Sequence, residues 1–134
     1  MLILVDSSIW VDFYKESSSQ IADSLTALIQ HDQVATSQPI IAELFSGRMN
    51  QEKKQDLFYG FYSFPLLDLD WNDQSVWKKI INLAESAYRH KISIPSIVDR
   101  MILLSAQTSK ASIWTHDLSL KRLCEKEDVR LFQV

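Results

Sequence analysis

Cysteine occurs once in these 134 residues, at Cys124, and glycine only twice, at Gly47 and Gly60. One cysteine excludes an internal disulfide and a cysteine-based zinc cluster together. Two isolated glycines exclude the glycine-rich cradle of a P-loop or a dinucleotide fingerprint, so no nucleotide cofactor is expected. Histidine is sparse as well, and His31, His90 and His116 stand too far apart in sequence to suggest the usual zinc sites. No apolar run approaches the length needed to span a membrane, and the N-terminus has no basic region leading into a long apolar stretch. A cytoplasmic protein is the expectation. Basic excess is missing too: 14 Lys and Arg against 17 Asp and Glu give a net charge of -3. That excludes bulk nucleic-acid binding, although a bound cation or a few placed Lys and Arg can still hold phosphates.

What the chain does have is apolar content, 46% of its residues, enough for one domain over 1–134 with a real core. Strand-like and helix-like segments alternate from end to end, the pattern of an α/β domain with a central, mainly parallel sheet. Leu2 to Val5 reads as a first strand. Ser7 or Ser8 caps a helix carrying Trp10, Phe13 and Tyr14, and polar Ser17 to Gln20 leads into another. Gln33 to Thr36 reads as a short strand, and Ser37 caps a helix with Pro39 in its first turn and Gly47 beyond its end. A helix over Gln51 to Tyr62 is stopped by Pro65 before the strand-like Leu66 to Leu69. Asn72 or Asp73 caps the longest helix, whose apolar stripe of Val76, Trp77, Ile80, Ile81, Ala84, Ala87 and Tyr88 reads as core or dimer contact. Ser96 caps the next helix, a short one follows near Leu118 to Lys126, and Val129 to Val134 reads as a last strand.

Four acids stand out against this frame. Asp6 ends the first apolar run and Asp117 closely follows another, Ala111 to Thr115, while Glu43 and Asp99 each come four residues after a proline, Pro39 and Pro95, read as a helix start. In a doubly wound sheet the strand C-termini and the following helix N-termini share one edge, so these residues should meet in a crevice there. Converging carboxylates repel and raise one another's pKa values, and a divalent cation is the ordinary remedy. Oxygen-only donors suit Mg2+ or Mn2+. A metal held this way and keeping open positions can activate water and polarise a phosphoryl oxygen, which fits phosphodiester hydrolysis. Asp6 and Asp99 are then primary ligands, with Asp117 and Glu43 completing the site directly or through water.

The stretch Val5-Asp6-Ser7-Ser8-Ile9-Trp10 resembles the opening of PIN-domain proteins, particularly the VapC toxins of toxin–antitoxin pairs. Ile41-Ala42-Glu43-Leu44, Ile94-Pro95 through Asp99 and Ile102, and Thr115-His116-Asp117 continue the resemblance in order over nearly the whole chain. The resemblance implies a PIN-like three-layer α/β/α domain and a Mg2+- or Mn2+-dependent endoribonuclease acting on RNA. It also implies a VapB-like antitoxin partner, and a homodimer within a larger toxin–antitoxin assembly. Asp6, Glu43, Asp99 and Asp117 carry over as the acidic quartet, with Ser8 and Thr115 as hydroxyl support. Two positions depart from the family's pattern: Ser119 replaces an acid that many relatives carry, and Arg100-Met101 replaces small residues after the third acid.

Arg48, Arg100, Lys121 and Arg122 lie near these motifs, and Arg89-His90-Lys91 forms a small basic cluster before the third. Each reads first as a solvated surface charge and second as an RNA contact. The aromatics from Trp10 to Tyr14 and from Phe58 to Phe64 read mostly as core, with some available to an antitoxin segment. Three other readings stay open: a metal-independent nuclease using His116, a receiver-like signalling domain phosphorylated at Asp68 or Asp70, and a catalytically silent binding module.

Overall fold

The structure is a computed structural model that describes residues 1–16, 18–47 and 51–134. Ser17 and Arg48, both weighed above, lie outside the described residues. The chain runs β1 (Ile3–Val5), α1 (Ser7–Tyr14), α2 (Ser19–Gln30), β2 (Val34–Ala35), α3 (Gln38–Phe45), α4 (Gln51–Phe61), α5 (Gln74–Arg89), α6 (Ile97–Ser109), β3 (Ser112–Trp114) and α7 (Leu118–Lys126). The described strands form a parallel sheet in the order β2-β1-β3, flanked by helices in an α/β/α arrangement. Ile3, Leu4 and Val5 are all buried, as a central parallel strand covered on both faces requires. Ile3 pairs with Val34 and Ser112, and Leu4 with Ala35 and Ile113. The edge order follows from this: β1 ends at Asp6, between the ends of β2 and β3.

Both outer strands expected from sequence shrink to single parallel bridges, Thr36 with Leu66 and Ile113 with Leu131. The first is short because β2 leaves the sheet after Thr36 to enter α3, and because Asp68 turns away to serve that helix. Ser37 holds the N-cap position of α3, but its hydroxyl is buried and makes no capping bond. The Asp68 carboxylate accepts the Gln38 N–H instead, at 3.0 and 3.2 Å, and also accepts the Trp71 indole N–H at 3.2 Å. At the other edge, Leu131 is held through Ile113 alone, which donates its N–H to Arg130 and accepts from Phe132.

Scarce glycine shows at the helix ends. Asp32, Lys91, Lys110 and Asp128 adopt left-handed backbone with φ of 55–58° after α2, α5, α6 and α7. In each case the next residue's N–H reaches back five positions, for example Ala111 to the Ala106 carbonyl and Ile92 to that of Ala87. This is the usual glycine-ended helix stop, built without glycine at a cost of about 1 kcal/mol per position.

The stripe on α5 divides between two fates. Ile80, Leu83 and Ala87 enter the core, while Ile81 and Tyr88 remain 59% and 77% exposed and Trp77 lies at the margin. Ile94 and Ile97 are exposed as well, and a cavity of about 410 Å³ runs between Ala84, Tyr88 and Ile94. Elsewhere the aromatics pack as expected: Trp10 meets Phe61 at 4.7 Å, Phe64 at 5.8 Å and Tyr14 at 6.0 Å between ring centres. Burial pushes the Tyr14 hydroxyl up to about 12.

Candidate active site

Asp6 starts α1 and Asp117 starts α7, each as the N-cap whose carboxylate accepts a backbone N–H of its own helix. Asp99 is the third residue of α6, where Ser96 Oγ accepts its N–H at 3.1 Å. A carboxylate there is favoured by the helix dipole. Glu43 differs, standing in the second half of α3. The equal spacing from proline concealed this, because Pro39 lies within α3 whereas Pro95 precedes the cap of α6 and is no helix start.

Asp6 is only 3% exposed, and a buried charge needs partners. Its Oδ1 accepts the Ser7 N–H at 2.8 Å, and its Oδ2 accepts the hydroxyls of Ser8 at 3.0 Å and Thr115 at 2.7 Å. Each hydroxyl also accepts a backbone N–H from the turn after β3. Ser8 takes that of His116 at 3.1 Å, and Thr115 that of Asp117 at 3.0 Å. The structure thus brings Ser8 and Thr115 onto Asp6 and uses them to tie the end of β1 to the end of β3.

Glu43 joins this edge through Ser7, whose hydroxyl donates to Glu43 Oε1. Asp117 Oδ1 accepts the Leu120 N–H at 2.7 Å. Asp99 has the strongest electrostatic signature: burial first, then the negative fields of Asp6, Asp117 and Glu43, push its carboxyl up to about 6, with the Ser96 hydroxyl pulling the other way. The field of all three acids therefore reaches Asp99, although among the described residues no three His, Cys, Asp or Glu side chains stand close enough to grip a metal ion. An all-oxygen donor set with an unrelieved negative field fits a hard divalent cation. His31 and His90 bond helix carbonyls through Nδ1, and Cys124 is buried with its thiol pushed up to about 12.

Several residues weighed from sequence have other duties. Arg100 donates to the carbonyls of Pro95 at 3.1 Å and Ile80 at 2.9 Å, so it pins α6 to α5. Arg89 lines a cavity of about 220 Å³ with Gln107 and Glu127. Gln107 lies in the last turn of α6 and Glu127 caps the end of α7, so Arg89 sits by helix C-terminal ends and away from Asp117, the N-cap of α7. Lys121 and Arg122 stand in the opening turns of α7, which starts from Asp117. Asp68 is used as the α3 cap, whereas Asp70 is exposed and accepts the Asn72 N–H at 3.0 Å. Sequence reasoning missed one contact: His116 Nε2 meets Asp12 Oδ2 at 2.6 Å. The available signal was that Asp12 follows Ser8 by four residues and shares its helix face.

The family model for the PIN domain matches residues 3–126. No curated protein matches the sequence significantly. Among solved structures, the chain is similar to VapBC-1 from nontypeable Haemophilus influenzae, with a TM-score of 0.73, 18% identity and coverage of 99% of this chain and 98% of that one. It is similar to VapBC2 from Rickettsia felis, solved with a DNA fragment from their promoter, at a TM-score of 0.71 and 18% identity over 98% of each chain. It is also similar to FitAcB from Neisseria gonorrhoeae, at 0.69 and 19% over 98% of this chain and 97% of that one. At these identities the likeness concerns the fold.

Proposed function

The chain belongs to the PIN domain family, and from that membership we propose that it is a divalent-metal-dependent endoribonuclease serving as the toxin of a toxin–antitoxin pair. The observation that carries this reading is Asp99, whose ionisation is opposed by burial and then by three other acids of the crevice. Asp6 and Asp99 are the residues to hold Mg2+ or Mn2+, with Asp117 and Glu43 completing the set. The ion, when bound, supplies Lewis-acid polarisation of a phosphoryl oxygen and lowers the pKa of water. The protein's part is to fix the donors. Ser8 and Thr115 orient Asp6 through two hydroxyl bonds to its Oδ2. Glu43, exposed at the crevice, is placed to orient the attacking water and accept its proton. In-line attack then leaves a 5′-phosphate.

Two surfaces support the expected partners. Tyr59, 65% exposed, and Tyr62 flank the aromatic cluster between α1 and α4, and offer anchors to a VapB-like antitoxin segment. The exposed face of α5, with Ile94 and Ile97, suits a two-fold homodimer, because Glu85 and Arg89 on its rim can pair across the axis. Light scattering of the purified chain tests the dimer, and Ile81→Lys with Tyr88→Lys should yield monomer.

A second reading, an acidic edge that only supports structure, is favoured by the capping roles of Asp6 and Asp117. Antitoxin-free protein incubated with total RNA in Mg2+, Mn2+ or EDTA separates the two. Cation-dependent cleavage that disappears in Asp99→Asn supports the nuclease; absence of cation-dependent cleavage by the wild type supports the structural reading.

A further inference from the structure

Ser8 and Asp12 lie one helical turn apart on α1, and both reach the same residue in the turn between β3 and α7. Ser8 Oγ accepts the His116 main-chain N–H at 3.1 Å, and Asp12 Oδ2 accepts from its ring Nε2 at 2.6 Å. His116 is thus held at two points, by its backbone and by its side chain, from a single helix face. Its neighbours are the residues on which the acidic edge depends: Thr115 donates to Asp6, and Asp117 contributes the fourth carboxylate. The two side chains of the Asp12–His116 contact are 31% and 43% exposed. An ion pair that open adds little to global stability, whereas a bond across 104 residues can still fix a local turn.

We infer that Asp12 is a positioning residue: through the His116 ring it fixes the turn that carries Asp117, and so sets how Asp117 meets a bound divalent cation. The inference rests on the metal reading above. Groups that orient a ligand without touching the ion commonly change metal affinity 10- to 100-fold when removed. Ser8 and Thr115 hold the turn through main-chain N–H groups, and Asp12 adds an anchor through the His116 ring.

The test is Mn2+ titration of the purified full-length chain, with free Mn2+ followed by electron paramagnetic resonance. Asp12→Ala should weaken binding about tenfold, while Asp12→Asn, which keeps an oxygen acceptor, should stay near the wild-type affinity. His116→Ala should match Asp12→Ala, and the double variant should be no weaker than either, because both remove one shared contact. Melting curves of all variants in EDTA should superimpose. Equal affinity in wild type and Asp12→Ala overturns the positioning role, as do additive losses or failure of Asp12→Asn to rescue. Wild-type protein that binds no Mn2+ overturns the metal reading itself. If Asp12→Ala does not fold, His116→Ala and Asp12→Asn carry the same decision from the other side of the bond.

Discussion

The two sides of the acidic crevice treat their charge in opposite ways. On the β1–β3 side, Asp6 is almost fully buried yet accepts three hydrogen bonds, and the hydroxyls that serve it also stitch the neighbouring turn. On the α6 side, Asp99 is half-buried, and burial first, then the other three acids, push its carboxyl up to about 6 against the Ser96 hydroxyl. One carboxylate is satisfied by the fold; the other is left with its charge opposed. The difference teaches that scaffold and ligand demand are separable in this site, one residue carrying most of each.

The sharpest way to break the comparison is Asp6→Ala. It strands the Ser7 N–H and two hydroxyls in a buried site, and should cost about 2–4 kcal/mol by denaturant unfolding. A loss under about 1 kcal/mol would put Asp6 among ordinary surface acids. Thr115→Val comes next, at about 1–3 kcal/mol, since it removes a donor to Asp6 and the acceptor for the Asp117 N–H together. Asp99→Asn should act in the opposite direction and more weakly, raising the stability of metal-free protein at neutral pH by removing repulsion that solvent partly screens.

The pH dependence sharpens the same point. Asp99 has a folded pKa of about 6, above its ordinary value of 3.8, so its contribution to stability is greatest below pH 3.8. That contribution is lost as pH rises towards and through 6. Metal-free wild type should therefore lose stability over this window relative to Asp99→Asn. Parallel pH profiles for the two proteins in EDTA would remove the contrast.

Much of this arrangement was legible in the order of residues. The buried run Ile3–Val5, the Ser96 cap and the long helix over Gln74–Arg89 follow from apolar spacing and local capping chemistry, which act within a few residues. The edge that collects Asp6, Asp99 and Asp117 follows from parallel topology. What stayed hidden depends on partners far along the chain. Asp68 caps α3 from 30 residues away, displacing the nearer Ser37, and Arg100 reaches a carbonyl 20 residues back. Local sequence carries no sign of either. The outer strands failed for a related reason: a strand with one neighbour lasts only as long as that neighbour stays in the sheet, and β2 leaves after Thr36.

The central claim is that the charge left unrelieved at Asp99 is a demand for a divalent cation. Thermal unfolding of wild type and Asp99→Asn at neutral pH, each with millimolar Mg2+ and with EDTA, tests it most directly. The account predicts a higher melting temperature in Mg2+ for wild type and none for Asp99→Asn; wild-type curves that coincide in Mg2+ and EDTA would contradict it.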